Sequence, residues 1–235
     1  MTALWLALGT LTILPVPAPT GLDRTVAGRA MTLAPVVGVL LAVAPVALVA
    51  ADGPPVLLAV LAVAALAVSS RALHLDGLAD TADGLGSALP ADRALAIMRK
   101  SDIGPFGVVT IVLVLLVQVT AISAVDSPWT VGAAIVVSRG VLPLLCLPAF
   151  PPSRPDGLGA VVAGSVRWWQ ATTAVLVTGA ICVVTSAPAC LLGLIVGLVF
   201  AWHCRRRLGG VTGDVYGACV ELTLAAALVA PALLG

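Results

Sequence analysis

Residues 103–125 read IGPFGVVTIVLVLLVQVTAISAV, a run with no Asp, Glu, Lys, Arg or His. At a rise of about 1.5 Å per residue it is long enough to cross the hydrocarbon of a bilayer as one helix. Similar runs lie on either side: Met31–Ala51, the shorter Pro54–Ser70, Pro128–Phe150 broken only by Arg139, Trp168–Ser186, Ala187–Cys204, and Cys219–Leu234 with Glu221 near its start. Between them stand turn-forming breaks such as Asp52-Gly53-Pro54-Pro55, Asp126-Ser127-Pro128 and Pro151-Pro152-Ser153-Arg154-Pro155. The pattern predicts an all-α polytopic membrane bundle of about seven transmembrane helices, built as one membrane-embedded domain over 1–235. Met1–Leu14 is apolar but short and ends in Pro15-Val16-Pro17, so it is expected to be an interfacial or half-inserted helix.

Composition agrees. Charged residues make up 10% of the 235 positions and hydrophobic ones 60%, whereas soluble domains carry about a quarter charged residues. A net charge of +1 gives no basis for nucleic-acid binding. Five scattered cysteines, with no CxxC pair, read as small hydrophobes. Seven spans put Arg24, Arg29, Arg71, Arg93, Arg99, Lys100, Arg154, Arg167, Arg205, Arg206 and Arg207 on one side and no Lys or Arg on the other. By the positive-inside rule the first side is cytoplasmic.

Polar chemistry is concentrated on that side, in two motif segments, 71–107 and 205–221. From Arg71 to Asp102 there are 9 of the chain's 23 charges in 32 residues. Within it, His74–Gly86 reads HLDGLADTADGLG. If this stretch continues the second span as a helix, Asp80 and Asp83 lie roughly 40° and 20° from Asp76 around the axis, so three like charges share a stripe. Such a stripe is unfavourable unless a cation answers it, and oxygen-only ligands favour Mg²⁺, with Mn²⁺ as an alternative. Asp76 and Asp83 stand about 10 Å apart along the axis, which makes Asp80 the shared ligand of one or two ions. Gly77 and Gly84 leave room beside the acids for a phosphate or a neighbouring helix. His74, on the far side of the helix, reads as structural.

Met98–Gly107, MRKSDIGPFG, opens the third span. Arg99 and Lys100 supply cations, and Ser101 precedes a helix start whose free N–H groups favour an anion, so the stretch reads as a phosphate-binding corner with Asp102 as a further candidate. In Arg205–Leu222, RRRLGGVTGDVYGACVEL, Thr212 and Asp214 sit in a glycine-rich turn suited to holding phosphate and metal. Glu221 lies inside a span and needs a partner, either a metal or a base such as Arg139. Arg139, the lone cation within a span, is expected to point toward the acidic cavity.

These texts, with Leu11–Pro17, resemble the cobalamin synthase family in order and over nearly the whole chain. At Lys100-Ser101-Asp102 the charges are exchanged relative to many relatives, which leaves the roles of Lys100 and Asp102 open. The resemblance implies an enzyme of the phosphotransferase type: transfer of α-ribazole, or its 5′-phosphate, to adenosylcobinamide-GDP with release of GMP, at a Mg²⁺-dependent site in a bacterial inner membrane. On that reading Asp76, Asp80 and Asp83 hold metal, Asp80 and Asp214 are catalytic, and Arg99, Lys100, Ser101, Arg139, Thr212 and Asp214 meet substrate phosphates. Two alternatives stand beside it. Asp76–Ala79 is reminiscent of CDP-alcohol phosphotransferases, which act on lipid headgroups, and an ion-coupled carrier would also bury charge among its spans. Oligomeric state is not legible.

Overall fold

A computed structural model describes residues 1–17 and 23–234, apart from the side chain of Leu158. Among these residues there are helices and turns and no strand. α1 (Thr2–Leu11) is a short apolar helix, followed by α2 (Arg24–Thr32), α3 (Ala34–Val49) and α4 (Pro55–Ser69). Then come α5 (Leu73–Gly86), α6 (Ala91–Ile97), α7 (Pro105–Ala124) and α8 (Pro128–Leu145). The chain ends with α9 (Leu158–Val162), α10 (Trp168–Val184), a 3₁₀ turn (Pro188–Leu191), α11 (Leu192–Leu208) and α12 (Gly213–Leu234). Proline opens α4, α7 and α8, where its missing N–H costs nothing.

Each of the seven apolar runs folds as a helix, but they differ in reach. α7, α8, α11 with its preceding turn, and α12 are long and apolar enough to cross a membrane alone. α2 and α3 reach that length only as a pair bent by 45°, and α4 with α5 only as a pair bent by 90°; α10, at 17 residues, is apolar but shorter. The described residues thus give four spans by length, or six with each bent pair counted as one. α1, with 10 residues, is too short to cross and packs on α2 and α3.

α8 is the hub, buried along nearly its whole length by α3, α10, α11 and α12. The outer helices turn large side chains to the lipid, among them Val109, Val112, Leu113 and Leu116 of α7. All five cysteines are buried and free, as expected of small apolar residues.

The 90° turn after α4 decides where the chemistry goes. Arg71 and Ala72 take φ of 56° and 52°, the left-handed region that non-glycine residues seldom occupy. The acidic stretch is therefore a helix, but not the continuation of the second span that the sequence suggested. α5 lies across the first turns of α7 and α12. Gly77 lets it do so: a Cβ there would stand 2.6 Å from the Asp214 carbonyl oxygen and 2.9 Å from Asp214 Cα. Of the two partners offered to the glycines by the sequence, a phosphate or a helix, Gly77 meets α12, and Gly84 faces the Met98 side chain.

Candidate active site

Two motif segments meet at this crossing. α11 ends at Gly209, whose φ of 78° suits a residue without Cβ, and the chain turns back into α12. The turn is clamped to residues 151–153: the Val211 N–H donates to the Pro151 carbonyl at 2.9 Å, and the Ser153 N–H donates to the Val211 carbonyl at 3.0 Å. This short pairing sets Arg154 beside Asp214. Thr212 caps α12, its Oγ1 accepting from the Val215 N–H and donating to Asp214 Oδ2, both at 3.2 Å.

A cavity of about 320 Å³ opens here, lined by Asp76, His74, Arg154, Asp156, Thr212 and Asp214 together with apolar residues of α1, α2 and α8. Arg154 is its inner cation. One Nη donates to the Leu95 carbonyl, the other lies 3.9 Å from Asp214 Oδ2, and Nε is buried without a partner. At the rim Arg99 grips Asp156 with two hydrogen bonds of 2.8 and 3.0 Å.

Asp80, half-buried, stands close enough to Asp214, Asp76 and Asp83 to feel all three. Burial first, then these neighbours, push its carboxyl up from the ordinary 3.8 to about 7, with Arg154 opposing. A metal-free acid cluster of this kind is under charge strain. Even so, among the described residues no three of His, Cys, Asp and Glu converge as a ready-made metal cage. The stripe predicted from helical periodicity is real, but its members do different things.

Asp83 is buried, and its carboxylate accepts the Gly104 N–H at 2.7 Å and the Gly107 N–H at 2.9 Å. The third span's first turn therefore does hold an anion, as the sequence suggested, but the anion is Asp83 itself. This corrects the phosphate corner. The N-cap of α7 is Gly104, three residues beyond Ser101, and the Gly104 and Gly107 amides are already taken by Asp83. Lys100, Ser101 and Asp102 are exposed and do not line the cavity; Arg99 reaches only its rim.

Arg139 also differs from expectation. It is fully buried in α8 and does not line the acidic cavity. Its Nη1 donates to Ser138 Oγ at 2.7 Å, while Nε and Nη2 find no partner in the protein. Glu221 accepts from Gln118 Nε2 of α7 at 2.8 Å and lies within electrostatic reach of Arg139, without an ion pair inside 4.0 Å among the described residues. This polar layer sits deeper than the cavity, with His74 between. Burial, and Arg139 behind it, lower the imidazole of His74, which lines the cavity, to about 3.

Sequence reasoning missed Arg154 as a site residue, counting it only as a basic loop residue, and missed Asp156. The one local signal was an Arg and an Asp flanking Pro155 in an otherwise apolar connection.

Several apolar helices of membrane-spanning length, with a cavity lined by Asp76, Arg154, Asp156 and Asp214, define a class: polytopic helical membrane proteins. Within it, residues 3–232 match the family Cobalamin-5-phosphate synthase, and the chain belongs to that family. Relatives named adenosylcobinamide-GDP ribazoletransferase include one from Nocardioides sp., 45% identical over 95% of both chains. Another from Frankia casuarinae is 40% identical over 95% of this chain and 91% of its own, and one from Pseudomonas aeruginosa 39% over 99% and 98%. No solved structure matches the chain. Family membership sets aside the lipid-headgroup transferase and the carrier.

Proposed function

We propose that this chain transfers α-ribazole, or its 5′-phosphate, to adenosylcobinamide-GDP and releases GMP, closing the nucleotide loop in cobalamin biosynthesis. The reading is supported by family membership together with one structural observation: Asp76, Asp80 and Asp214 gather where α5 crosses α12, with Arg154 as the nearest cation.

The donor set suits a hard divalent ion. It is all carboxylate oxygen, it is crowded with like charge, and it falls short of a complete cage, as expected where Mg²⁺ keeps waters and takes its remaining ligands from substrate phosphates. Asp76 and Asp80 would hold it, with Asp83 committed to the start of α7 and Asp214 left to act on the attacking hydroxyl. When bound, Mg²⁺ or Mn²⁺ neutralises the diphosphate and eases the departure of GMP.

The chain's own groups do the rest. Arg154 lines the cavity and offers Nη1 to non-bridging phosphate oxygens, while its other Nη stays tied to Leu95 and fixes the guanidinium plane. Thr212 occupies Asp214 Oδ2, which leaves Oδ1 to accept the proton of the attacking ribazole hydroxyl. The new P–O bond forms as the bond to GMP breaks, and the proton passes from Asp214 to solvent. The cavity, of about 320 Å³, takes the diphosphate and leaves the corrinoid at the mouth. The basic loops at this end support a cytoplasmic placement in a bacterial inner membrane.

The direct test incubates reconstituted protein with adenosylcobinamide-GDP and α-ribazole and measures GMP. Release that requires both substrates and Mg²⁺ is expected; GMP formed at the same rate without α-ribazole would contradict a transferase.

A further inference from the structure

The segment that walls the acidic cavity also walls a second, unlike one. Val162 faces the first cavity, while Gly164, Ser165 and Arg167 line a cleft of about 520 Å³ close by. Arg24, Arg29 and Arg167 all line this cleft, and no acidic residue does among the described ones. None of the three arginines makes an ion pair within 4.0 Å among the described residues. Asp23, next to Arg24 in sequence, uses its Oδ1 to cap α2 at the Val26 N–H, 2.6 Å away.

The walls of the cleft are pinned to each other. α2 packs at Gly28 directly on the backbone of Ser165, where a Cβ would collide with the carbonyl. Arg24 Nη2 donates to the Ala163 carbonyl, and the Arg167 N–H donates to Gln170 Oε1 at 2.9 Å. Cations from two separate segments thereby line one opening, the Arg24 guanidinium fixed by its bond across it. Trp168 and Trp169, 67% and 63% exposed, stand on the first turn of α10, which then runs on as an apolar helix. Exposed tryptophans at the head of such a helix mark headgroup depth.

We propose that this cleft binds the phosphate of an anionic phospholipid headgroup. Three guanidiniums without a counter-ion, opening at headgroup depth, match phosphate oxygens in charge and in hydrogen-bonding pattern. The indoles of Trp168 and Trp169 lie where the glycerol and upper acyl chain begin. The site is separate from the acidic cavity and does not depend on the reaction assigned to it.

Native mass spectrometry of the full chain, released from micelles carrying phosphatidylglycerol or phosphatidylcholine, tests this. The variant R24Q/R29Q/R167Q is compared with R205Q/R206Q/R207Q, which removes equal charge at the end of α11, where Arg205 and Arg206 stack on Trp202. R29Q/R167Q, which spares the Arg24 contact with Ala163, decides the matter if the triple variant fails to fold. The wild type and the α11 variant should retain a single phosphatidylglycerol and release phosphatidylcholine, with retention weakened about fivefold per cleft arginine removed. Equal loss in both triple variants would overturn the proposal in favour of diffuse surface charge. Displacement of the lipid by equimolar glycerol 3-phosphate would overturn it in favour of a free-phosphate site.

Discussion

Asp80 titrates where its neighbours make ionisation costly, and this gives the cavity a pH signature. In an unfolded chain its carboxyl loses its proton near pH 4, whereas in the folded, metal-free protein it does so at about 7. Between those values the folded state keeps a proton that the unfolded state has released, so stability falls as pH rises through that window and is lowest above it. Melting curves from pH 5 to 8 should show this decline, Mg²⁺ should counter it near neutrality, and Asp80→Asn should flatten it. Asp83 is a different case despite sharing the stripe. Asp83→Asn would turn an amide N–H toward either Gly104 or Gly107 and lose a charged acceptor, costing about 2 kcal/mol of stability. Loss of turnover at unchanged stability would instead make Asp83 a ligand. The sequence shows that these acids share a face, because periodicity is local. It does not show that Asp83 caps a helix starting 21 residues later, because that pairing is made by tertiary packing.

At the scale of elements, the site depends on how closely α5 lies on α12. Gly77→Ala puts a methyl 2.6 Å from backbone that cannot yield, so the helices must separate, with a cost of about 1–3 kcal/mol and reduced turnover. Gly179→Ala in α10, where a Cβ meets nothing within 4 Å, is the control and should be neutral or stabilising in thermal unfolding. Equal effects at the two positions would remove the close crossing from the account. The apolar runs were legible as helices because the hydrocarbon forbids charge over their whole length. The right-angle turn at Arg71 and Ala72 was not, since neither residue carries a turn signal and both take the left-handed region that non-glycine residues seldom occupy. Arg154 escaped for a related reason: a proline-rich connection looks like a break in a one-dimensional reading, and only its pairing with Val211 carries the guanidinium to Asp214.

At the scale of the molecule, three groups of polar side chains stand apart. Deep in the bundle, Gln118 and Glu221 tie α7 to α12, with Arg139 of α8 buried within electrostatic reach. At one end, Asp76 of α5 and Asp214 of α12 line a cavity together with Arg154. Nearby, Arg24, Arg29 and Arg167 surround a cleft with no acid in its lining. The acidic cavity and the arginine cleft thus lie apart, the one lined by Asp76, Asp156 and Asp214 with Arg154, the other by no acid among the described residues. The central claim is that the acid cluster grips a divalent cation jointly with substrate phosphate. Electron paramagnetic resonance of Mn²⁺ titrated into the reconstituted protein, with and without adenosylcobinamide-GDP, tests it most directly. The account predicts a bound-Mn²⁺ signal that strengthens with the substrate and is lost in Asp80→Asn; a signal of equal strength in the wild type and in Asp80→Asn, indifferent to substrate, would contradict it.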